Sequence, residues 1–150
     1  MPHRVVTFAS LLALTILASC GGDGSPFEPL AGGLSLPVSL TTTTDQASRG
    51  GERLDVVAVP GGAQLTWDVV SAPCLDAAAS AIQSGNVVEV RVHRSGNPLA
   101  LCVAMQVNYR YVARVEIAGQ GRYEVRLVDD LLGQPMRPVG RASVAVPPIH

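Results

Sequence analysis

Two kinds of hydrophobic pattern divide this chain. From Val5 to Leu17 apolar residues run almost without interruption, behind the short positive start Met1-Pro2-His3-Arg4 and ahead of the small residues Ala18 and Ser19. That is the layout of a secretory signal peptide, and the run is too short to span a bilayer comfortably as a permanent helix. After Cys20 the apolar pattern stops. Gly21, Gly22, Gly24, Pro26, Pro29, Gly32 and Gly33 fall among few packable side chains, so residues 20–36 are expected to form a flexible tether. From residue 37 to residue 150 the period becomes two, which predicts β-strands in a single folded domain.

The strands are read one by one from alternation and turn residues. Pro37 to Thr44 is rich in β-branched residues and is expected at a sheet edge because of its proline. Leu54 to Val59 follows, closed by Pro60-Gly61-Gly62. Leu65, Trp67 and Val69 alternate with Thr66, Asp68 and Val70, and Val88, Val90 and Val92 with Glu89, Arg91 and His93. Leu99 to Ile117 is too long for one ordinary strand, which predicts a break or bulge near Asn108. Beyond it Tyr109, Tyr111, Ala113, Val115 and Ile117 share one face. After Gly119-Gln120-Gly121, Tyr123, Val125 and Leu127 point inward. Residues 129–140 read as a loop with two prolines, and Ala142 to Val146 as the last strand.

One segment departs from this period. Leu75, Ala78, Ala79 and Ile82 fall at helical spacing, and Ala favours helix, so a helical turn or an irregular crossover fits residues 75–82. The preferred reading is a loop followed by a strand near Ala79–Gln83. The sum is an all-β, antiparallel sandwich of about seven strands after a signal peptide and tether.

Two short motifs add resemblances. Leu17-Ala18-Ser19-Cys20 resembles the bacterial lipoprotein lipobox. That resemblance implies a diacylglyceryl thioether on Cys20, cleavage before it that removes residues 1–19, and acylation (palmitate) of the new amino terminus. It also implies a lipid-anchored place in a bacterial cell envelope. Gly21 rather than Asp after the cysteine implies the outer membrane where the cell has two membranes, and otherwise the outer face of the plasma membrane. Gly121-Arg122-Tyr123-Glu124-Val125 resembles the G-x-Y-x-V strand start of bacterial immunoglobulin-like and transthyretin-like domains. It implies an immunoglobulin-like sandwich with a turn feeding a Tyr that packs at the sandwich edge. The usual Leu-x-Pro-Gly turn is replaced here by Gly119-Gln120-Gly121, and the cysteine spacing is not that of antibody domains.

Composition narrows the partners. All 11 basic side chains are Arg, against 12 acids and a formal net charge of −1. This excludes the basic excess of a nucleic-acid footprint and a polybasic patch for anionic lipid, so the membrane partner is reached through the N-terminal lipid. With Cys20 assigned to lipid, Cys74 and Cys102 are left as an even pair in an exported chain. A bridge would close a loop of about 29 residues, worth roughly 3.5 kcal/mol in the chain-entropy model. Two reduced core cysteines or a metal pair compete with it. A metal site needs further ligands, and His3, His93 and His150 are scattered.

Motifs for chemistry are missing: there is no His-Glu-x-x-His, Gly-x-Ser-x-Gly, phosphate loop or Cys-x-x-Cys. Asp129-Asp130 reads as a solvated turn rather than a Ca²⁺ loop. His93 reads as solvent-facing, because a general base would need a carboxylate to orient it and a nucleophile. Arg110, Arg114, Arg122 and Arg126, with Glu116 and Glu124, are expected to form a cross-strand ladder. This patch suits an envelope protein or glycan, or is a plain solvated face. The expectation is a non-catalytic envelope lipoprotein that presents a binding or structural domain, with no cofactor and no metal. The alternatives are a small envelope enzyme or protease inhibitor using loops around Cys74–Gln83 or Asp129–Gly140, and a surface-assembly component joined by edge strands.

Overall fold

The computed structural model describes residues 28–44, 53–96 and 106–147. Cys20, Cys102 and the segment 1–27 lie outside the described residues. The described chain forms nine strands. These are β1 Leu34–Leu36, β2 Val38–Thr44, β3 Asp55–Val59, β4 Gly62–Ser71, β5 Leu75–Ser84, β6 Val87–Gly96, β7 Val107–Glu116, β8 Gly121–Leu131 and β9 Arg137–Val146. They make an all-β sandwich of a five-stranded sheet, ordered β1-β5-β6-β8-β9, and a four-stranded sheet, ordered β2-β7-β4-β3.

The strand count exceeds the expected seven for a local reason. Pro37 has no N–H to give a ladder and splits the first apolar run, sending β1 to the edge of one sheet and β2 to the edge of the other. One pairing is also not antiparallel. After β6 the chain crosses to the other sheet as β7 and returns as β8, which lies parallel to β6 from Val87↔Glu124 to Arg94↔Leu131.

Alternation places the core between the sheets. Leu65, Trp67 and Val69 on β4 are buried, as are Tyr111, Ala113 and Val115 on β7, Val88, Val90 and Val92 on β6, and Tyr123, Val125 and Leu127 on β8. Full burial of such side chains stabilises by about 1.5–3 kcal/mol each. Trp67 stacks on Tyr111, centroids 5.4 Å apart and planes 18° from parallel. Close backbone approach matters at Gly62, where a Cβ would meet the Val115 carbonyl oxygen at 1.9 Å. Gly62→Ala is expected to destabilise by about 1–3 kcal/mol in urea titration, as overpacking does.

One expected break is found and two loop readings are corrected. The break expected near Asn108 falls two residues before it: Gln106 lies outside the strand, β7 begins at Val107, and Asn108 itself pairs with Val70 in a continuous register. The strand expected near Ala79–Gln83 is present but runs from Leu75 to Ser84, so the residues read as a loop before it are strand too, held by pairing with β6 along the whole length. Most of residues 129–140 is strand as well: β8 runs to Leu131 and β9 starts at Arg137. Pro138 is accepted there because β9 is an edge strand with a register shift between Leu127 and Val128. The two loops expected to carry a site are therefore largely strand.

The tether boundary also moves. Residues ahead of 37 belong to the sandwich: β1 pairs with β5, and Leu36 is buried. Further upstream the Leu30 N–H donates to Glu89 Oε2 at 2.8 Å, and the Arg91 guanidinium donates to the Leu30 carbonyl. Residues 28–33 thus form a strap over the outer face of the five-stranded sheet, and Glu89 beneath it is wholly buried.

The Gly121–Val125 motif opens β8, where Gly121 has φ 137°. Tyr123 is buried, and its hydroxyl donates to the Ala118 carbonyl at 3.2 Å, closing the turn that precedes the strand.

Candidate functional site

Three adjacent strands of the five-stranded sheet bring polar side chains into one row on its outer face. On β6 the residues Val88, Val90 and Val92 point inward, so Glu89, Arg91 and His93 point outward. On β8 Asp129 is buried and Asp130 outward; on β5 Ala81 is buried and Ser80 is exposed. His93 is the parallel-register partner of Asp130, and Ser80 sits diagonally across from it, opposite Arg91.

The distances complete a hydrogen-bonded chain. His93 Nδ1 lies 2.7 Å from Asp130 Oδ2, and His93 Nε2 lies 2.8 Å from Ser80 Oγ. A carboxylate accepts only, so Asp130 takes the Nδ1–H of the imidazole. With the proton on Nδ1, the neutral ring leaves Nε2 to accept from the Ser80 hydroxyl. Nucleophile, base and orienting carboxylate are therefore in the order that activates a serine hydroxyl. The local sequence around His93 shows neither partner; the fold supplies them from 13 residues before it and 37 after it. The row is open to solvent, with the His93 side chain 43% exposed and that of Asp130 33%. It lacks the water-excluded setting in which oxyanion donors act strongly.

A second polar cluster lies on the inner side of the same sheet. Arg94 and Asp129 are both 8% exposed. Arg94 Nε donates to Asp129 Oδ1 at 2.8 Å, a terminal nitrogen donates to Oδ2, and another donates to Ser71 Oγ at 3.2 Å. Arg137, largely exposed, stands 3.7 Å from the same carboxylate. Burial pushes the Tyr111 phenol above its usual range, against the opposing pull of Arg94. A cleft of about 330 Å³ adjoins this cluster at the β8–β9 hairpin, lined by Asp129, Leu131, Gln134, Met136 and Arg137 among others.

The arginine ladder does not form as one surface. Arg110 and Arg114 are on β7 in the four-stranded sheet, whereas Arg122 and Arg126 are on β8 in the five-stranded one. Their strand neighbours Tyr111, Ala113, Tyr123 and Val125 face the shared core, so the two pairs point out of opposite sides of the sandwich. Arg110 pairs with Asp68 at 2.9 Å, and Arg126 with Glu124 at 2.6 Å. Arg114 stands between Ser39 and Gln64, and Arg122 opposite Ala145.

Cys74 lies in the short connection between β4 and β5; its expected partner Cys102 is outside the described residues, as is the lipidation residue Cys20. Among the described residues, no group of three or more His, Cys, Asp or Glu side chains could hold a metal ion.

The fold and its outward polar row define the class, a β-sandwich carrying a Ser-His-Asp chain on one sheet face. No family model, curated protein or solved structure matches the sequence.

Proposed function

We propose that this chain is a lipoprotein of the bacterial cell envelope, held through lipid on Cys20, that presents its β-sandwich as a binding or structural module without turnover chemistry. The observation that carries the reading is the leader: a positive start, the apolar run Val5–Leu17, and Leu17-Ala18-Ser19-Cys20. The strap supports it, since the chain emerging from that leader is fixed to one face of the domain by Leu30, Glu89 and Arg91. Display rather than turnover is supported by charged side chains that satisfy one another: Arg91 with Glu89, Arg94 with Asp129, Arg110 with Asp68, and Arg126 with Glu124. The Tyr123–Ala118 hydrogen bond supports the immunoglobulin-like relationship, in which a tyrosine hydroxyl reaches back to upstream backbone.

Expression in a bacterium fed an alkyne fatty acid tests the anchor. The full chain is expected to incorporate label and to partition into detergent, while Cys20→Ser loses the label and stays aqueous. Equal labelling of both forms would remove the lipoprotein reading.

A further inference from the structure

We propose that Ser80 is a general-base-activated acyl acceptor, with His93 as its base and Asp130 as the residue that positions the base. The inference goes beyond the display role and does not depend on the lipid anchor. It rests on three strands and two distances.

β5, β6 and β8 are neighbours in the sheet, so Ser80, His93 and Asp130 are placed by ladder register rather than by mobile loops. A serine hydroxyl on a sheet surface is ordinarily a poor nucleophile. Here its oxygen lies 2.8 Å from His93 Nε2, within the reach of direct proton transfer. The 2.7 Å contact from His93 Nδ1 to Asp130 holds the ring with Nε2 unprotonated toward Ser80 and stabilises the imidazolium formed when the proton moves. Ser80 is exposed, so a small ester can reach it.

The ligand class is a small activated carboxylic ester. Ser80 Oγ attacks the ester carbonyl carbon while its proton passes to His93 Nε2. The new Oγ–C bond forms, the bond from that carbon to the leaving oxygen breaks, and the leaving group departs as an alkoxide or phenolate. His93 then releases its proton to that group or to water, leaving an acyl ester on Ser80. General-base assistance supplies roughly 10²–10⁴-fold. The exposed setting weakens electrostatic stabilisation of the oxyanion, where a well-placed donor typically supplies about 10²–10³-fold, so the outcome is stoichiometric acylation with slow release rather than rapid turnover.

The full chain in mild detergent is treated with p-nitrophenyl acetate, and acetylated peptides are timed by mass spectrometry. Exposed Ser35 and Ser84 serve as internal references. Ser80 is expected to acetylate at least about 10²-fold faster than either reference. His93→Gln should bring it down to the reference rate, and Ser80→Ala should abolish the fast site. Asp130→Asn should slow Ser80 alone, and the His93 ring nitrogens in its NMR spectrum should lose the Nδ1–H tautomer, which a purely structural role for Asp130 would leave unchanged. All three positions are on the outer sheet face, and circular dichroism checks that each variant is folded. Acetylation of Ser80 at the reference rate overturns the proposal. So does a Ser80 rate insensitive to His93→Gln, or a transient acetyl group on His93 with no stable ester on Ser80.

Discussion

Replacing Arg94 with Met is expected to lower folding stability by about 3–5 kcal/mol, the loss typical when one member of a buried ion pair is removed. Out of about 5–15 kcal/mol for a whole domain, that is a large fraction. The cause is the group left behind. Asp129 is 8% exposed and receives two hydrogen bonds from the Arg94 fork. Without them a carboxylate remains inside the sandwich, with Arg137 at 3.7 Å as partial compensation. Ser71 also loses its guanidinium donor. The companion variant separates loss of attraction from stranded charge. Arg94→Met combined with Asp129→Leu removes both polar groups, and replacing a whole buried pair with apolar residues is often neutral or stabilising. Urea titration should therefore find the double variant closer to wild type than the single one. If the double loses as much as the single, the stranded carboxylate is not the cause.

Removing the cysteine pair is expected to cost about 2–5 kcal/mol. The placement of Cys74 supplies the reason. It lies between Ser71, which pairs with Val107, and Leu75, which pairs with Gly96. Gly96 and Val107 are the two ends of the segment that contains Cys102, so both ends of that segment are pinned beside Cys74. Cys102 is five residues from Val107 and six from Gly96, which keeps it within about 20 Å of either end even at full extension. Both connections cross between the sheets, from β4 to β5 and from β6 to β7. A bridge would therefore tie two crossovers at one end of the sandwich and restrict the unfolded chain. Non-reducing peptide mapping should recover Cys74 and Cys102 in one linked pair, and Cys74→Ser with Cys102→Ser should melt at lower temperature. Two free thiols, or an unchanged melting temperature, would remove the bridge.

Where polar residues separate apolar ones cleanly, the strands are legible in the amino-acid pattern alone. Leu65, Trp67 and Val69, or Tyr123, Val125 and Leu127, point inward as their alternation requires. Legibility fails where a strand carries small or charged residues inward. Ala77, Ala79 and Ala81 carry too little apolar contrast to mark a face, so only the second half of β5 is legible as strand until β6 pairs with all of it. Asp129 looks like a turn residue because nothing nearby in sequence announces Arg94. The arginine ladder fails for another reason. Alternation gives the outer face of β7 and of β8 correctly, but a ladder also needs the two strands to be neighbours, as consecutive strands usually are. Here the Gly119–Gly121 turn changes sheets. The Ser80–His93–Asp130 row is hidden in the sequence because parallel pairing of β6 with β8 brings Asp130 to His93, and local periodicity carries no information on which strands meet.

The strap has a mechanical consequence. A load applied to the amino terminus does not first peel β1, the three-residue strand at the sheet edge. It arrives at Leu30, whose backbone is clasped on both sides by Glu89 and Arg91 of β6, in the middle of the five-stranded sheet. Tension on the chain is thus delivered to the central strand of the layer, and the edge is shielded until that clasp gives way.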